Sequence, residues 1–139
     1  MKVKKKCLNC GAPVKKNASK YCGNKCQNEY QEKEKLRKWL TGEIKGYCKG
    51  GSYTLYQIVK EYIFEQADNK CEECGFDDVN PFTGNRIIQI DHTDGDASND
   101  RPENLKVLCP NCHAKTNTFG NIGGRQSARR DHRKKTRTI

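Results

Sequence analysis

The chain has 139 residues, 33% hydrophobic and 32% charged, with nine cysteines and a formal net charge of +10. That composition excludes a large apolar core and leaves room for one domain, or a small domain with an appendage, which at this size needs a staple. No stretch approaches the roughly 20 apolar residues of a membrane span, so no membrane association is expected. Met1 leads through lysines straight into Cys7 without an apolar run, which predicts no secretory leader and a reducing, cytoplasmic setting. In that setting, paired Cys-x-x-Cys spacings favour metal over disulfide.

Eight cysteines pair as Cys7/Cys10, Cys22/Cys26, Cys71/Cys74 and Cys109/Cys112, and Cys48 is left over as a small, at least partly buried residue. The charge is uneven. Residues 1–38 hold 12 Lys/Arg against 3 acids (+9), residues 115–139 hold 8 against 1 (+7), and residues 39–114 hold 7 against 13 (−6). A zinc ion held by four thiolates would carry −2, so filling two such centres lowers the whole chain to about +6. An acidic centre between basic ends suits a cation site flanked by segments that grip a polyanion; solubilising tails are the plainer reading of the same ends.

In chain order, residues 1–30 carry Cys7-x2-Cys10-x11-Cys22-x3-Cys26. Zinc takes four soft ligands at about 2.3 Å, and two short-spaced pairs brought together supply them. Such a finger serves DNA contact, protein contact or ordering of the N-terminus. Lys4, Lys5, Lys6, Lys15 and Lys16 around it favour nucleic acid. Residues 27–40 read as a polar helix with favourable i,i+4 pairs Glu29–Lys33 and Glu34–Lys38, ending in Trp39, which is expected to pack on the C-terminal domain. Four glycines mark 42–52 as a loop. A second helix is predicted over 53–66, where Leu55, Ile58, Val59, Tyr62 and Ile63 keep a 3.6-residue period. Strands are predicted over 86–91 and 105–108, joined by a loop of Asp, Gly, Asn and Pro, with a helix starting at Pro110. The basic run after Phe119 holds Arg125, Arg129, Arg130, Arg133, Lys134 and Lys135. The expected organisation is therefore a finger (1–30), a helical connector (31–69), a zinc-stapled domain (70–120) and a basic tail (121–139).

The chemistry concentrates between residues 71 and 119. Cys109 and Cys112 clamp the helix start to the Cys71/Cys74 knuckle, while His113 is rotated about 100° from Cys112 and need not face the same zinc. One turn on in the same predicted helix, which runs to about residue 118, Asn117 lies at i+4 from His113 and shares its face. Asp91 and His92 end a strand and point to opposite sides of it. An Asp and a His from separate elements make a half-empty site for a hard cation, with water completing the shell. A His beside Cys-x-x-Cys also serves elsewhere as an alternative zinc ligand or a plain surface residue. Asp94-x-Asp96-x-Ser98-x-Asp100 resembles the start of a calcium loop. Asn99 stands where that loop needs Gly and Leu105 where it needs a bidentate Glu, so these acids read as turn and hydrogen-bond residues.

Asp91-His92, Asn104 and His113, with Cys pairs before and inside the motif, resemble the HNH nuclease family over roughly residues 71–119. A looser likeness links the finger and the Trp39–Gly46 segment to small free-standing HNH endonucleases of bacteriophages. The resemblance implies a small α+β, zinc-stabilised ββα-metal domain of treble-clef type. It also implies metal-dependent hydrolysis of double-stranded DNA to 5′-phosphate and 3′-hydroxyl ends by a phage, homing, restriction or packaging-associated enzyme, monomeric or homodimeric, in the (host) cytoplasm. His92 is implied as general base. Asp91 and His113 are implied as ligands of one divalent ion, Mg2+ or Mn2+, with Asn117 as a further ligand, and Asn104 as the residue that orients the loop. Cys71, Cys74, Cys109 and Cys112 hold one structural zinc, and Cys7, Cys10, Cys22 and Cys26 hold the other. A non-catalytic zinc protein that binds nucleic acid is the competing reading.

Overall fold

The structure, a computed structural model, describes residues 4–17, 20–48 and 53–121. The basic residues Arg125, Arg129, Arg130, Arg133, Lys134 and Lys135 lie outside them. The chain divides into two compact units, residues 1–44 and 45–139, and among the described residues no helix is long and apolar enough to cross a membrane.

The first unit is a knuckle followed by a helix. An isolated bridge joins Lys6 to Pro13, and the Gly11 N–H donates to the Cys7 carbonyl with Gly11 at φ +74°, a conformation glycine adopts without strain. Helix α1, Asn24–Leu40, starts inside the second Cys pair and passes residue 30 unbroken. Its charges engage differently from the expected i,i+4 pattern. The Asn9 amide donates to Glu29 (2.7 Å) and its carbonyl accepts from Lys33 (3.0 Å), which ties the first knuckle to the helix. Glu34 pairs with Arg37 one turn on (3.2 Å). Trp39 is fully buried.

In the second unit, residues 53–56 form no helix, because Leu55 bridges back to Tyr47 and the Tyr56 N–H donates to the Gly46 carbonyl. Helix α2 is therefore Gln57–Gln66, with Val59 and Ile63 buried, and it packs against the sheet. Cys48 is exposed, contrary to its expected burial.

The two-stranded antiparallel sheet pairs β1 (Gln89–His92) with β2 (Leu105–Leu108) in the register Gln89↔Leu108, Ile90↔Val107, Asp91↔Lys106, His92↔Leu105. β1 begins three residues later than the pattern of isoleucines suggested. β2 ends at Leu108, where Cys109 turns into the knuckle, so residues 86–88 have no strand opposite them; Arg86 bridges Val79 instead. Helix α3, Pro110–Ala114, opens with Pro110 at its first turn and with the Cys109 sulfur accepting from the Cys112 N–H. The apolar centre beneath it consists of Cys71, Leu108 and Cys109, with Phe76, Ile88 and Cys112 packed around them. Cysteines are thus a large part of the core, in keeping with the low apolar content.

Candidate active site

Two four-cysteine clusters stand one in each unit: Cys7, Cys10, Cys22 and Cys26, and Cys71, Cys74, Cys109 and Cys112, with the sulfurs of each set all within 4.8 Å of one another. A tetrahedral zinc with ligands at about 2.3 Å puts sulfurs about 3.8 Å apart. The Cys10–Cys22 and Cys22–Cys26 separations are 3.6 and 3.4 Å, and Cys74–Cys109 is 3.7 Å. Both sets fit the ion. As free thiols the members of each set are driven apart, Cys7 and Cys71 downwards and Cys22, Cys74 and Cys112 upwards. Burial pushes the Cys71 thiol up, but backbone N–H groups of Cys109, Cys74 and Glu73 outweigh it and bring Cys71 down to about 6. The Cys10 backbone N–H, against a smaller effect of burial, does the same for Cys7.

The middle residues of the Cys71–Cys74 knuckle weld it to β2. The Glu72 N–H donates to the Val107 carbonyl (2.9 Å), and the Glu72 carboxylate accepts from the Val107 N–H. Glu73 pairs with Lys106, and that hydrogen bond, only partly opposed by desolvation, raises the lysine above its ordinary range.

Asp91 and His113, 22 positions apart, come together: His113 Nε2 lies 3.3 Å from Asp91 Oδ1. Two donors in adjacent positions around one hard cation stand about 3 Å apart, so the pair fits a shared ion. Among the described residues only the two four-cysteine sets gather three or more His, Cys, Asp or Glu donors. An ion at Asp91/His113 would therefore draw its other ligands from water and substrate, the usual arrangement for magnesium. The His113 ring is held edge-on by Phe119, with centroids 5.3 Å apart. Asp91 lines a cleft of about 520 Å³ together with Glu73, Cys74, Thr93, Lys106, Cys112, Lys115, Asn117 and Thr118. That volume lies within the roughly 300–1,000 Å³ range of ligand clefts.

His92 alternates to the other face of β1. Its Nε2 is buried and, among the described residues, has no hydrogen-bond partner. Asn117 does not sit on the helix, because α3 ends at Ala114; it reaches the same cleft from the turn beyond.

Asn104 is buried and holds the 93–104 loop through both ends of its amide. Its Oδ1 accepts from Thr93 Oγ1 (2.7 Å) and the Asp94 N–H (3.1 Å), and its Nδ2 donates to Asp94 Oδ1 (3.0 Å) and the Asn99 carbonyl (2.8 Å). Its backbone carbonyl accepts from the Thr93 N–H, directly after His92. The loop acids serve the same purpose. Asp94 accepts from the Asp96 N–H and the Asn99 amide, and Asp96 from the Ser98 N–H. Burial pushes the Asp94 carboxyl up, but its hydrogen bonds from Asn99, the Asp96 backbone and Asn104 prevail and hold it below the usual carboxylate range. Asp100 is fully buried and accepts from the Gly46 N–H, so it pins the segment before α2 under the loop. Gly95 (φ +74°) packs against Thr118; an added Cβ would lie 3.1 Å from the Thr118 methyl. Replacing Asn104 with alanine leaves several of these groups unpaired and should cost about 2–3 kcal/mol, a drop of roughly 10–20 °C in Tm by calorimetry of the zinc-loaded protein. A shift of only a degree or two would show that the loop does not depend on it.

Some functional groups escaped the sequence reading. Lys106 shares a face with Asp91 only through the register, which two four-residue strands did not announce. Glu73 and the threonines beyond α3 were not singled out.

The HNH endonuclease family model matches residues 71–119, the segment that contains β1, β2, α3 and the second four-cysteine set. The chain is also 41% identical over 79 residues to the H-N-H endonuclease F-TflIV of Escherichia phage T5. That alignment covers 53% of this chain and 33% of the relative, so the chain spans about a third of that protein's length. No solved structure gives a significant match. Asp91, His92, Asn104 and His113 all lie inside the segment, residues 71–119, that is similar to the HNH endonuclease family.

Proposed function

We propose that the protein is a divalent-metal-dependent DNA endonuclease that hydrolyses phosphodiester bonds to 5′-phosphate and 3′-hydroxyl ends. The observation that carries this reading is the approach of Asp91, which lines a cleft, to His113 at 3.3 Å, within the family match. Asp91 and His113 would hold the Mg2+ or Mn2+ ion, with Asn117 near enough to the cleft to join them. When bound, that ion supplies charge stabilisation for the phosphate and the departing 3′ oxygen. His92 takes the proton of the attacking water. A buried ring nitrogen with no partner among the described residues is the kind of group that acquires one when substrate arrives. Asn104 acts through the loop, fixing the backbone that follows His92.

Knuckle, hairpin and helix around one four-cysteine zinc correspond to the treble-clef form of the ββα-metal domain, with the second zinc ordering the N-terminal unit. Incubating supercoiled plasmid with zinc-loaded protein and Mg2+ or Mn2+ tests the reading. Nicked or linear product that disappears with His92→Ala supports it. Intact plasmid across metals and DNA sequences leaves instead a zinc protein that only binds nucleic acid.

The acidic middle of the chain repels a polyanion, so affinity comes from the basic flanks: Lys4, Lys5, Lys6, Lys15 and Lys16 around the first knuckle, and the residues after 124. Double-stranded DNA is the partner such a charge pattern fits, and the phage relative points to work inside a host cell, as a homing-type or other phage enzyme. Deleting residues 125–139 should weaken DNA binding and lower the slope of log K against log salt by about 0.9 for each phosphate that the tail neutralises, read by fluorescence anisotropy. An unchanged slope would reject the tail as a DNA grip.

A further inference from the structure

The cross-strand pair Asp91↔Lys106 presents a difficulty that the chain resolves. Directly opposite residues of an antiparallel pair project from the same face with Cβ atoms about 4.5–5.5 Å apart, and opposite charges there attract. Left to itself, the Lys106 ammonium would settle on the Asp91 carboxylate and occupy the position a divalent ion needs. It is instead paired with Glu73, one residue before Cys74 on the knuckle that Glu72 bonds directly to β2. Asp91 Oδ1 is then left facing His113 Nε2.

We infer that Glu73 is a positioning residue that draws Lys106 off Asp91 and so keeps the Asp91/His113 pair open to a divalent cation. The inference rests on the proposed nuclease reading only for where that cation sits. Zinc fixes the Glu73 backbone, because Cys71 and Cys74 on either side of Glu72 and Glu73 both belong to the four-cysteine set. The Glu72 bonds to Val107 fix the spacing to β2. Lys106, kept in the cleft with Lys115, remains available to a DNA phosphate once the cation has arrived.

The test is Mn2+ binding to the zinc-loaded full chain by titration calorimetry, with plasmid nicking measured in parallel and Asp91→Ala as the control for the site. Glu73 is half-exposed and the amide is isosteric, so Glu73→Gln should stay folded, which its Tm verifies; Glu73→Ala is a second variant. Glu73→Gln should weaken Mn2+ binding by roughly 2- to 5-fold, the effect of a half-exposed ion pair that must be displaced. Adding Lys106→Met to it should restore binding to at least the wild-type level. The deficit should shrink as ionic strength rises, because that competing pair is screened. An unchanged Mn2+ affinity in Glu73→Gln overturns the inference. So does a double variant as weak as the single one, which would make Glu73 a direct ligand, or the absence of Asp91-dependent Mn2+ binding in the wild type. Asp91-dependent binding with the expected rescue but no nicking would leave the inference standing and remove the nuclease reading alone.

Discussion

Alanine at His92 should lower the cleavage rate by about 10²–10⁴-fold, the usual contribution of a general base, with the loss in kcat and little change in KM or in DNA affinity. The expectation comes from position. His92 ends β1 beside Asp91, and the backbone after it is held by Asn104. Its Nε2 makes no hydrogen bond among the described residues, so removing the ring breaks no such bond of that nitrogen within the fold. Asp91→Ala should differ in kind, raising the divalent-ion concentration needed for half-maximal rate. Steady-state kinetics on a defined duplex, with Mn2+ varied, separates the two. If His92→Ala cut at the wild-type rate, the assignment of the base would be wrong even though the family match stood.

Stripping zinc should have a larger effect still: loss of the fold of residues 45–121. Cys71 and Cys109 are buried beside Leu108, Phe76 and Ile88, and among the described residues of this unit the other buried apolar side chains are only Leu55, Val59, Ile63, Leu105 and Val107. A structural zinc contributes about 10–16 kcal/mol, whereas a small domain has about 5–15 kcal/mol in total, so chelation removes more than the unit has. Cys109→Ser should do the same and also remove the sulfur that caps α3. The expected readout is collapse of NMR amide dispersion on chelation, with recovery when zinc is returned. A cooperative melt that survives verified zinc removal would mean that packing alone suffices.

The pH dependence follows from the thiols. Zinc takes thiolates, so protons compete with it and retention falls as pH falls. In the folded cluster, hydrogen bonds to Cys74 and Cys109 push Cys112 up to about 12, whereas Cys71 stands at about 6 despite its burial. Once release unfolds the unit, those hydrogen bonds are gone and each thiol returns to its ordinary range of about 8.5, so all four take protons near neutral pH. Zinc affinity, read by competition with a chromophoric chelator, should therefore fall steeply as pH drops through neutrality.

How much of this was legible beforehand depends on the range of each interaction. Both four-cysteine sets, β2 and the start of α3 at Pro110 follow from local spacing: a Cys-x-x-Cys closes on one ion whatever surrounds it, and a proline fits the first turn of a helix and little beyond it. The hydrogen bonds of Asn104 are also short-range, with partners Thr93, Asp94 and Asn99 within 11 positions, although its place as a loop anchor is implied by the family resemblance and not by spacing. What residue order alone left open is set by distant partners. β1 starts at Gln89 because β2 stops at Leu108, and Leu55 leaves the helical pattern because Tyr47 pairs with it. α3 stops at Ala114, so Asn117 reaches the cleft from a turn. Asp100, an ordinary loop acid in sequence, becomes a buried anchor only when Gly46, 54 residues away, presents its N–H.

By itself, then, the order of residues determined the two four-cysteine sets and the succession of two short strands and a helix. These are matters of ligand type and near-neighbour spacing. Only the tertiary structure decided which groups meet: Asp91 with His113, and Lys106 with Glu73 although Asp91 stands across the strand from it. Those pairings depend on strand register and on where a zinc knuckle lies against a strand, and both are long-range packing results that no single segment carries.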